Sequence, residues 1–238
     1  MERLASTSEL MDGPLDDRVA LATNLRDLRR VNRLFGGTDL SRRALAVLAG
    51  RDHKPLTILD VGTGAADIPA ALIADAAQQG VSRQVTAMDS RPEMLQTAVA
   101  TEPGLATIPS LHLRVGDGRR LADPDRSYDI AHSSMVIHHL EPEEAVRFLR
   151  EMGRVAKDGV IVNDLVRSRL NWVGAWLISH LFTRSRYTRY DAPLSVRRAY
   201  TLAELETLLA RASLRPVATI RGRFGHRYAI AAVAESEP

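Results

Sequence analysis

The sequence contains no cysteine and only two lysines, Lys54 and Lys157, among 238 residues. The missing cysteines exclude disulfides, thiolate metal sites and a cysteine nucleophile. The scarcity of lysine makes nearly all of the 32 basic residues arginines, which keep their protons throughout the accessible pH range. A net charge of only +3 therefore reaches a pI near 9.6. That value reflects titration chemistry rather than a basic surface, and a nucleic-acid partner is not expected from it. No apolar run is long enough for a bilayer: the longest, Leu170–Phe182, is interrupted by Asn171, Ser179 and His180. The opening MERLASTSELMDG lacks the apolar core of a signal peptide. A soluble, cytoplasmic enzyme is the default expectation.

Apolar content of 45% and charged content of 26% suit one large, well-buried domain. Residues 1–13 read as disordered. From Leu15 to Leu34 the apolar residues Val19, Leu21, Leu25, Leu28 and Val31 recur at helical spacing, Gly36–Gly37 ends the run, and a shorter helix is expected over Asp39–Leu48. Strand-like runs then appear at Leu56–Val61, Gln84–Met88, Leu111–Val115, Tyr128–His132 and Val160–Val162. Helical patterns separate them at Ala66–Gln79, Pro92–Val99 and Glu141–Val155. The chain ends with a helix over Leu202–Ala212 and two strands, Leu214–Ile220 and Tyr228–Val233. Strands alternating with helices argue for an α/β fold, Rossmann-like, with a seven-stranded, mostly parallel sheet. Helices cover both faces, and the final pair makes an antiparallel end. Residues 1–50 read as an N-terminal helical extension or cap, and 51–238 as the main domain with a lid insertion near 165–200.

The stretch TILDVGTGAADIPAAL, Thr57–Leu72, is a strand that runs into a glycine turn and a helix. Ligands bind at that edge of open α/β sheets. Gly62 and Gly64 let a ligand approach the backbone. A dinucleotide fingerprint would place a third glycine where Asp67 stands, and Asp60 would repel a pyrophosphate. Carboxylates on both sides of a glycine turn suit a ligand bearing positive charge, such as the sulfonium and ammonium of S-adenosylmethionine. Asp89 ends the second strand, where a carboxylate can accept both ribose hydroxyls. Asp117 follows the third strand, where it can accept from an adenine amino group.

These motifs resemble those of class I S-adenosylmethionine-dependent methyltransferases from about Thr57 to Ile161, and more weakly to the C-terminus. ILDVGTG resembles the first motif of that family, AMDS its ribose motif and VGDGRRL its adenine motif. YDIAHSSMVIHHL and LREMGRVAKDGVIVND resemble the fourth-strand motif and the helix and strand after it. The HHL ending is similar to the branch containing ubiquinone- and menaquinone-biosynthesis enzymes. One departure is the family's third loop glycine, with Ala65 and Ala66 in the turn here. The resemblance implies that Asp60, Gly62, Thr63, Gly64 and Asp67 line the methionine end, and that Asp89 and Ser90 hold the ribose. It also implies that Asp117, Gly118 and Arg119 meet the adenine, and that His132 and Ser133 lie beside the methyl donor.

Methyl transfer needs a base only where the acceptor must lose a proton. A phenol of pKa about 10 can give it to a histidine of pKa about 6.5 as the methyl arrives. His138 and His139 follow the fourth strand and are candidates for that base, with capping or packing under the next helix as the plain alternative. Asp164 is a third catalytic candidate, or a helix cap. Trp172 and Trp176 on the apolar run Leu170–Phe182 are expected to face an apolar acceptor. LSVRRAYT is similar to a segment of polyketide-associated methyltransferases, which puts Arg197, Arg198 and Tyr200 at the acceptor. No metal is expected, and a homodimer stays open.

The expected activity is methylation of a small, largely apolar acceptor in secondary metabolism. O-methylation of a phenolic or polyketide-like hydroxyl ranks first and C-methylation of a quinone precursor second. A non-catalytic regulatory protein that binds S-adenosylmethionine is the rival from another class. An RNA methyltransferase is disfavoured because HSSM stands where a base-methylating motif would be, and a dehydrogenase because of Asp67.

Overall fold

The computed structural model describes residues 1–5, 7–15, 17–50 and 54–235. Seven strands form one sheet: β1 (Leu56–Val61), β2 (Arg83–Asp89), β3 (Leu111–Val115), β4 (Tyr128–Ser134), β5 (Ala156–Leu165), β6 (Leu214–Arg221) and β7 (Arg227–Ala234). Their order is β3-β2-β1-β4-β5-β7-β6, parallel from β3 to β5. β7 runs antiparallel to both β5 and β6. This is the expected Rossmann-like sheet with an antiparallel end. The helices are α1 (Arg18–Leu34), α2 (Gly37–Ala49), α3 (Asp67–Gln78), α4 (Pro92–Thr101), α5 (Pro142–Val155), α6 (Arg169–Phe182), α7 (Arg186–Arg198) and α8 (Leu202–Arg211). Two apolar cores lie on opposite faces. One contains Val146, Leu149 and Met152 of α5 with Leu205 and Leu209 of α8. The other contains Leu21 and Leu25 of α1, Leu40 and Leu45 of α2, and Ile68 and Leu72 of α3.

Local chemistry accounts for many of the boundaries. Glu141 and Glu144 form a reciprocal capping box at the start of α5, whose first residue is Pro142. Thr201 and Glu204 do the same for α8. Gly36, at φ 78, makes the joint between α1 and α2 with almost no loop. No described helix is long and apolar enough to cross a membrane.

Four features differ from the sequence expectation. α1 begins at Arg18, where Asp17 caps it by accepting from the Ala20 N–H. β5 extends well beyond Val160–Val162, because Ala156 enters the strand directly from α5 and the far end pairs with β7. A second helix, α7, fills the segment before Thr201, its periodicity broken in sequence by Pro193. Finally, the described part of residues 1–13 is a packed strap rather than a disordered tail. Arg3 reaches Glu141 at 2.8 Å and donates to the carbonyls of Arg198 and Leu140. Leu10 and Met11 donate their N–H groups to Asp191. All these partners are remote in sequence, so no local pattern announces them. The domain boundary expected at residue 51 lies outside the described residues.

A buried polar chain fastens α1 and α2 to the sheet. Arg227, fully enclosed, donates from Nη1 to Asn32 Oδ1 at 2.7 Å and from Nη2 to Ser134 Oγ and Asn163 Oδ1 at 3.0 Å. Asn32 Nδ2 passes on to Asp67 at 3.0 Å. On the other side Asn163 Nδ2 donates to Ser41 Oγ at 2.8 Å, and Ser41 Oγ lies 2.8 Å from His132 Nε2. His132 Nδ1 is 2.5 Å from Asp60 Oδ1. With Nδ1 carrying the hydrogen, the His132 ring donates to Asp60 and accepts from Ser41, and of the Arg227 nitrogens only Nε is left without a partner. Arg227→Ala strands the acceptors on Asn32 and Asn163, so the expected loss of stability is at least about 3 kcal/mol by urea denaturation.

Candidate active site

The C-terminal edge of the parallel strands opens into a cavity of about 970 Å³. Its wall takes the β1 loop, the ends of β2 and β4, α1, the α6–α7 pair and the strap. The loop is pinned from below, since the N–H groups of Gly62 and Thr63 both donate to Met88 O at 2.8 and 2.9 Å. Gly62 has φ +75, and a Cβ there would lie 2.3 Å from Val136 Cγ2. Only glycine fits both the conformation and the space. At Gly118 the space alone excludes a side chain, since a Cβ would meet Val61 at 2.5 Å and Phe148 at 2.6 Å. Ala66 takes the left-handed conformation itself, at φ 54, and caps α3. α1 clamps this turn, with Arg29 Nη2 donating to the carbonyls of Ala65 and Ala98 at 3.1 Å.

The acids divide by environment. Burial pushes the Asp67 carboxyl up, against the hydrogen bonds from Asn32. Burial likewise raises Asp89, whose two oxygens each accept one backbone N–H, from Gly64 and from Arg91, at 3.0 Å. Each Asp89 oxygen keeps a lone pair free for the cavity. Asp117 is exposed and held low by its hydrogen bonds with Arg119, which also pairs with Glu144 at 2.8 Å. Ser90 and Gly118 stand on the wall beside them. Thr63 Oγ1 is buried there with no protein partner.

A second polar group occupies the loop after β4. His138 is buried, with Nδ1 2.6 Å from Asp164 Oδ1 and Nε2 3.6 Å from Glu9 Oε1. His139 is half-buried, with Nδ1 2.8 Å from Asp12 Oδ1 and Nε2 3.8 Å from Glu9 Oε2. The two rings lie 4.3 Å apart, centroid to centroid. Burial pushes the Glu9 carboxyl up to about 7, opposed by His139 and reinforced by Asp191. Burial would also raise Asp164, but the facing His138 and the Leu165 N–H bring it below its usual range. Asp12, against the same opposing burial, is drawn down to about 2 by its hydrogen bond with His139.

The wall therefore carries Asp60, Gly62, Thr63, Gly64, Asp67, Asp89, Ser90, Asp117, Gly118, Arg119, His138 and His139. Other candidates stand behind it. His132 turns into the sheet face towards Ser41, and Ser133 Oγ donates to Val61 O at 2.9 Å, so neither faces the cavity. Ser134, Met135 and Val136 take the place expected of them. Asp164 is fully buried, off the cavity wall, and bonded to His138. Trp172 and Trp176 are 37% and 44% exposed on the outer side of α6, Trp176 stacking on His180. Leu170, Val173, Leu177 and Ile178 line the cavity instead, although Leu170, Val173 and Leu177 are themselves exposed. Arg197 points to solvent. Arg198 is buried and donates to the carbonyls of Thr7, His138 and His139, which leaves it no reach to a substrate. Tyr200 donates to Leu140 O at 2.7 Å with Arg3 over its ring. Sequence reasoning missed Glu9, Asp12, Arg29, Asn32 and Met135. The spacing of Glu9 and Asp12 was the one signal on offer, that of a capping box.

Residues 58–159 match a family model described as a methyltransferase domain. No curated protein matches the chain. Among solved structures the chain is similar to a SAM-dependent methyltransferase from Aquifex aeolicus, at 20% identity and TM-score 0.62, over 89% of this chain and 97% of that one. It is similar to magnesium protoporphyrin IX methyltransferase from Synechocystis PCC 6803 with bound SAH, at 17% identity and TM-score 0.62, over 92% and 98%. Human N-acetylserotonin methyltransferase in complex with SAM matches at 15% identity and TM-score 0.65, over 95% of this chain and 61% of that one. These likenesses are likenesses of fold. For the loop itself, Gly62→Ala is expected to cost about 2 kcal/mol or more of stability in denaturant unfolding, from strain at positive φ and the clash with Val136.

Proposed function

We propose that this chain, whose residues 58–159 match a methyltransferase-domain model, is a class I methyltransferase that takes a methyl group from S-adenosylmethionine and places it on a phenolic or polyketide-like hydroxyl of a small, largely apolar acceptor. The observation that carries this reading is His138, backed by Asp164, on the wall of a cavity whose α6 side is apolar.

The residues present fit the cofactor. Thr63 Oγ1 is an unpaired buried polar atom at the loop, on the wall of the cavity. Asp60 and Asp67 supply negative charge at the methionine end, Asp89 with Ser90 would take the ribose hydroxyls, and Asp117, Gly118 and Arg119 the adenine. Bound there, S-adenosylmethionine supplies an electrophilic methyl group on a sulfonium. The protein's part is to orient the acceptor and receive its proton. Asp164 fixes the His138 tautomer with Nδ1 protonated, which leaves Nε2 as the acceptor atom. His139 and Glu9 shape the same end of the cavity. The α6–α7 pair is the lid, and the strap closes the site from the other side. Val136 packs on Gly62, and His138 lies two residues further on, so loop and histidines are set by one backbone segment.

A screen of phenolic and polyketide-like acceptors by mass spectrometry is expected to give a gain of one methyl group, with magnetic resonance placing it on oxygen. Binding of the cofactor with no methylated product from any acceptor would favour the regulatory alternative. His138→Ala is expected to lower kcat by about 100-fold or more while cofactor affinity by calorimetry stays unchanged. The enclosed carboxyls of Asp67 and Asp89 take up protons at higher pH than ordinary carboxyls do. A cationic ligand prefers them ionised, so affinity for S-adenosylmethionine should fall as pH is lowered, starting above the ordinary carboxyl range. In Asp67→Asn the fall should be shallower, and Asp89→Ala should weaken binding at every pH.

A further inference from the structure

We propose that Glu9, His138 and His139 bind one divalent first-row transition cation, with open coordination positions facing the cavity. This rests on the proposed function in one respect, that the cluster is the acceptor end of the cavity. It adds what the cluster holds there.

One donor atom from each of the three residues lies within 4.8 Å of the other two. His138 Nε2 is 3.6 Å from Glu9 Oε1 and His139 Nε2 is 3.8 Å from Glu9 Oε2. Both gaps are too long for hydrogen bonds. They are close to what a shared ion requires, since ligand atoms about 2.1 Å from a tetrahedral centre stand about 3.4 Å apart. Proton positions point the same way. Each histidine spends its Nδ1 hydrogen on a carboxylate, His138 on Asp164 at 2.6 Å and His139 on Asp12 at 2.8 Å. Both Nε2 lone pairs are left facing Glu9. Carboxylate–imidazole pairs of this kind fix the tautomer and orientation of metal-binding histidines. The third ligand is steadied as well, with Ser195 Oγ 2.9 Å from Glu9 Oε1. Arg198 holds the backbone carbonyls of both histidines.

Two imidazole nitrogens and one carboxylate suit Zn²⁺, Fe²⁺ or Mn²⁺ better than Ca²⁺ or Mg²⁺, which prefer oxygen. Three protein ligands on a cavity wall leave room for an outside oxygen, as at catalytic rather than structural sites. An ion held there would polarise an acceptor hydroxyl and ease the loss of its proton to water, with His138 Nε2 serving as a ligand in place of its role as the base. No local pattern in the chain announces this cluster, because Glu9 lies far from the histidines in sequence.

The full chain, stripped with a chelator, is titrated with Zn²⁺ by calorimetry and with Co²⁺ by visible absorption. One ion per chain is expected, with d–d bands that report nitrogen and oxygen ligation. Glu9→Gln and His139→Ala should each weaken binding by at least about 100-fold, and Asp12→Asn, one step further out, by about 10-fold. Thermal melting of each variant without metal establishes that it is folded, and Glu9→Gln preserves side-chain size. Absence of stoichiometric binding to the wild type, or unchanged affinity in Glu9→Gln, overturns the proposal. Methyl transfer is read separately. One ion bound without methylation of any acceptor keeps the site and removes the functional reading. Methylation that the chelator leaves intact, with no ion bound, removes the site and keeps that reading.

Discussion

The architecture depends on one buried cation. Arg227 sits where β7 meets the helical layer and donates to Asn32, Ser134 and Asn163. A guanidinium without water needs several acceptors at once. Here those acceptors come from α1, β4 and β5, so satisfying one side chain fixes three elements. From Asn32 and Asn163 the chain of hydrogen bonds runs outward to Asp67 and Asp60. The two acids that flank the glycine loop are thus the two ends of the network that holds α1 and α2 over the sheet. Burial lowers the Arg227 pKa to about 10, while Asp164 and Asp67 oppose the shift.

This gives the flanking acids a second role. They suit a cationic ligand, as their charge suggests, and they also anchor the N-terminal helices. Asp60 takes a proton donor from His132, and Asp67 takes the Asn32 amide, so both carboxylates are oriented before any ligand arrives. Preorganised charge costs little to use when the ligand binds. Arg29 adds to this by holding the carbonyls of Ala65 and Ala98, which ties the turn to α4 as well as α1.

The end of the cavity at His138 and His139 is built differently. The loop after β4 is held from behind by Arg198 and Tyr200 and in front by the strap, which brings Glu9 and Asp12 to the histidines. The strap in turn is fixed by Arg3 and by Asp191 on α7. Ordering such a polar segment costs roughly 1–2 kcal/mol of backbone entropy per residue. Several long-range hydrogen bonds to enclosed partners offset that here. Residues that read as substrate contacts, Arg198 and Tyr200, turn out to support the backbone of His138, His139 and Leu140.

The order of strands and helices, the glycine loop and the acids at Asp60, Asp67, Asp89 and Asp117 could all be read from the chain. Each is encoded locally: apolar period sets the element, and a strand end delivers the next residues to the ligand edge. Which way a side chain faces along α6 or at the end of β4 was not legible, so Trp172, Trp176, His132 and Ser133 stand on the opposite side of the wall from the one expected. A one-residue change in a strand, or about 100° round a helix, reverses that assignment. Glu9 and Asp12 were invisible for another reason. Their significance lies in contacts with residues far along the chain, which no window of sequence contains. The sequence by itself determined the sheet and the loop at its edge. Only the tertiary structure decided that the first residues of the chain complete the site, because long-range hydrogen bonds rather than local propensity hold them there.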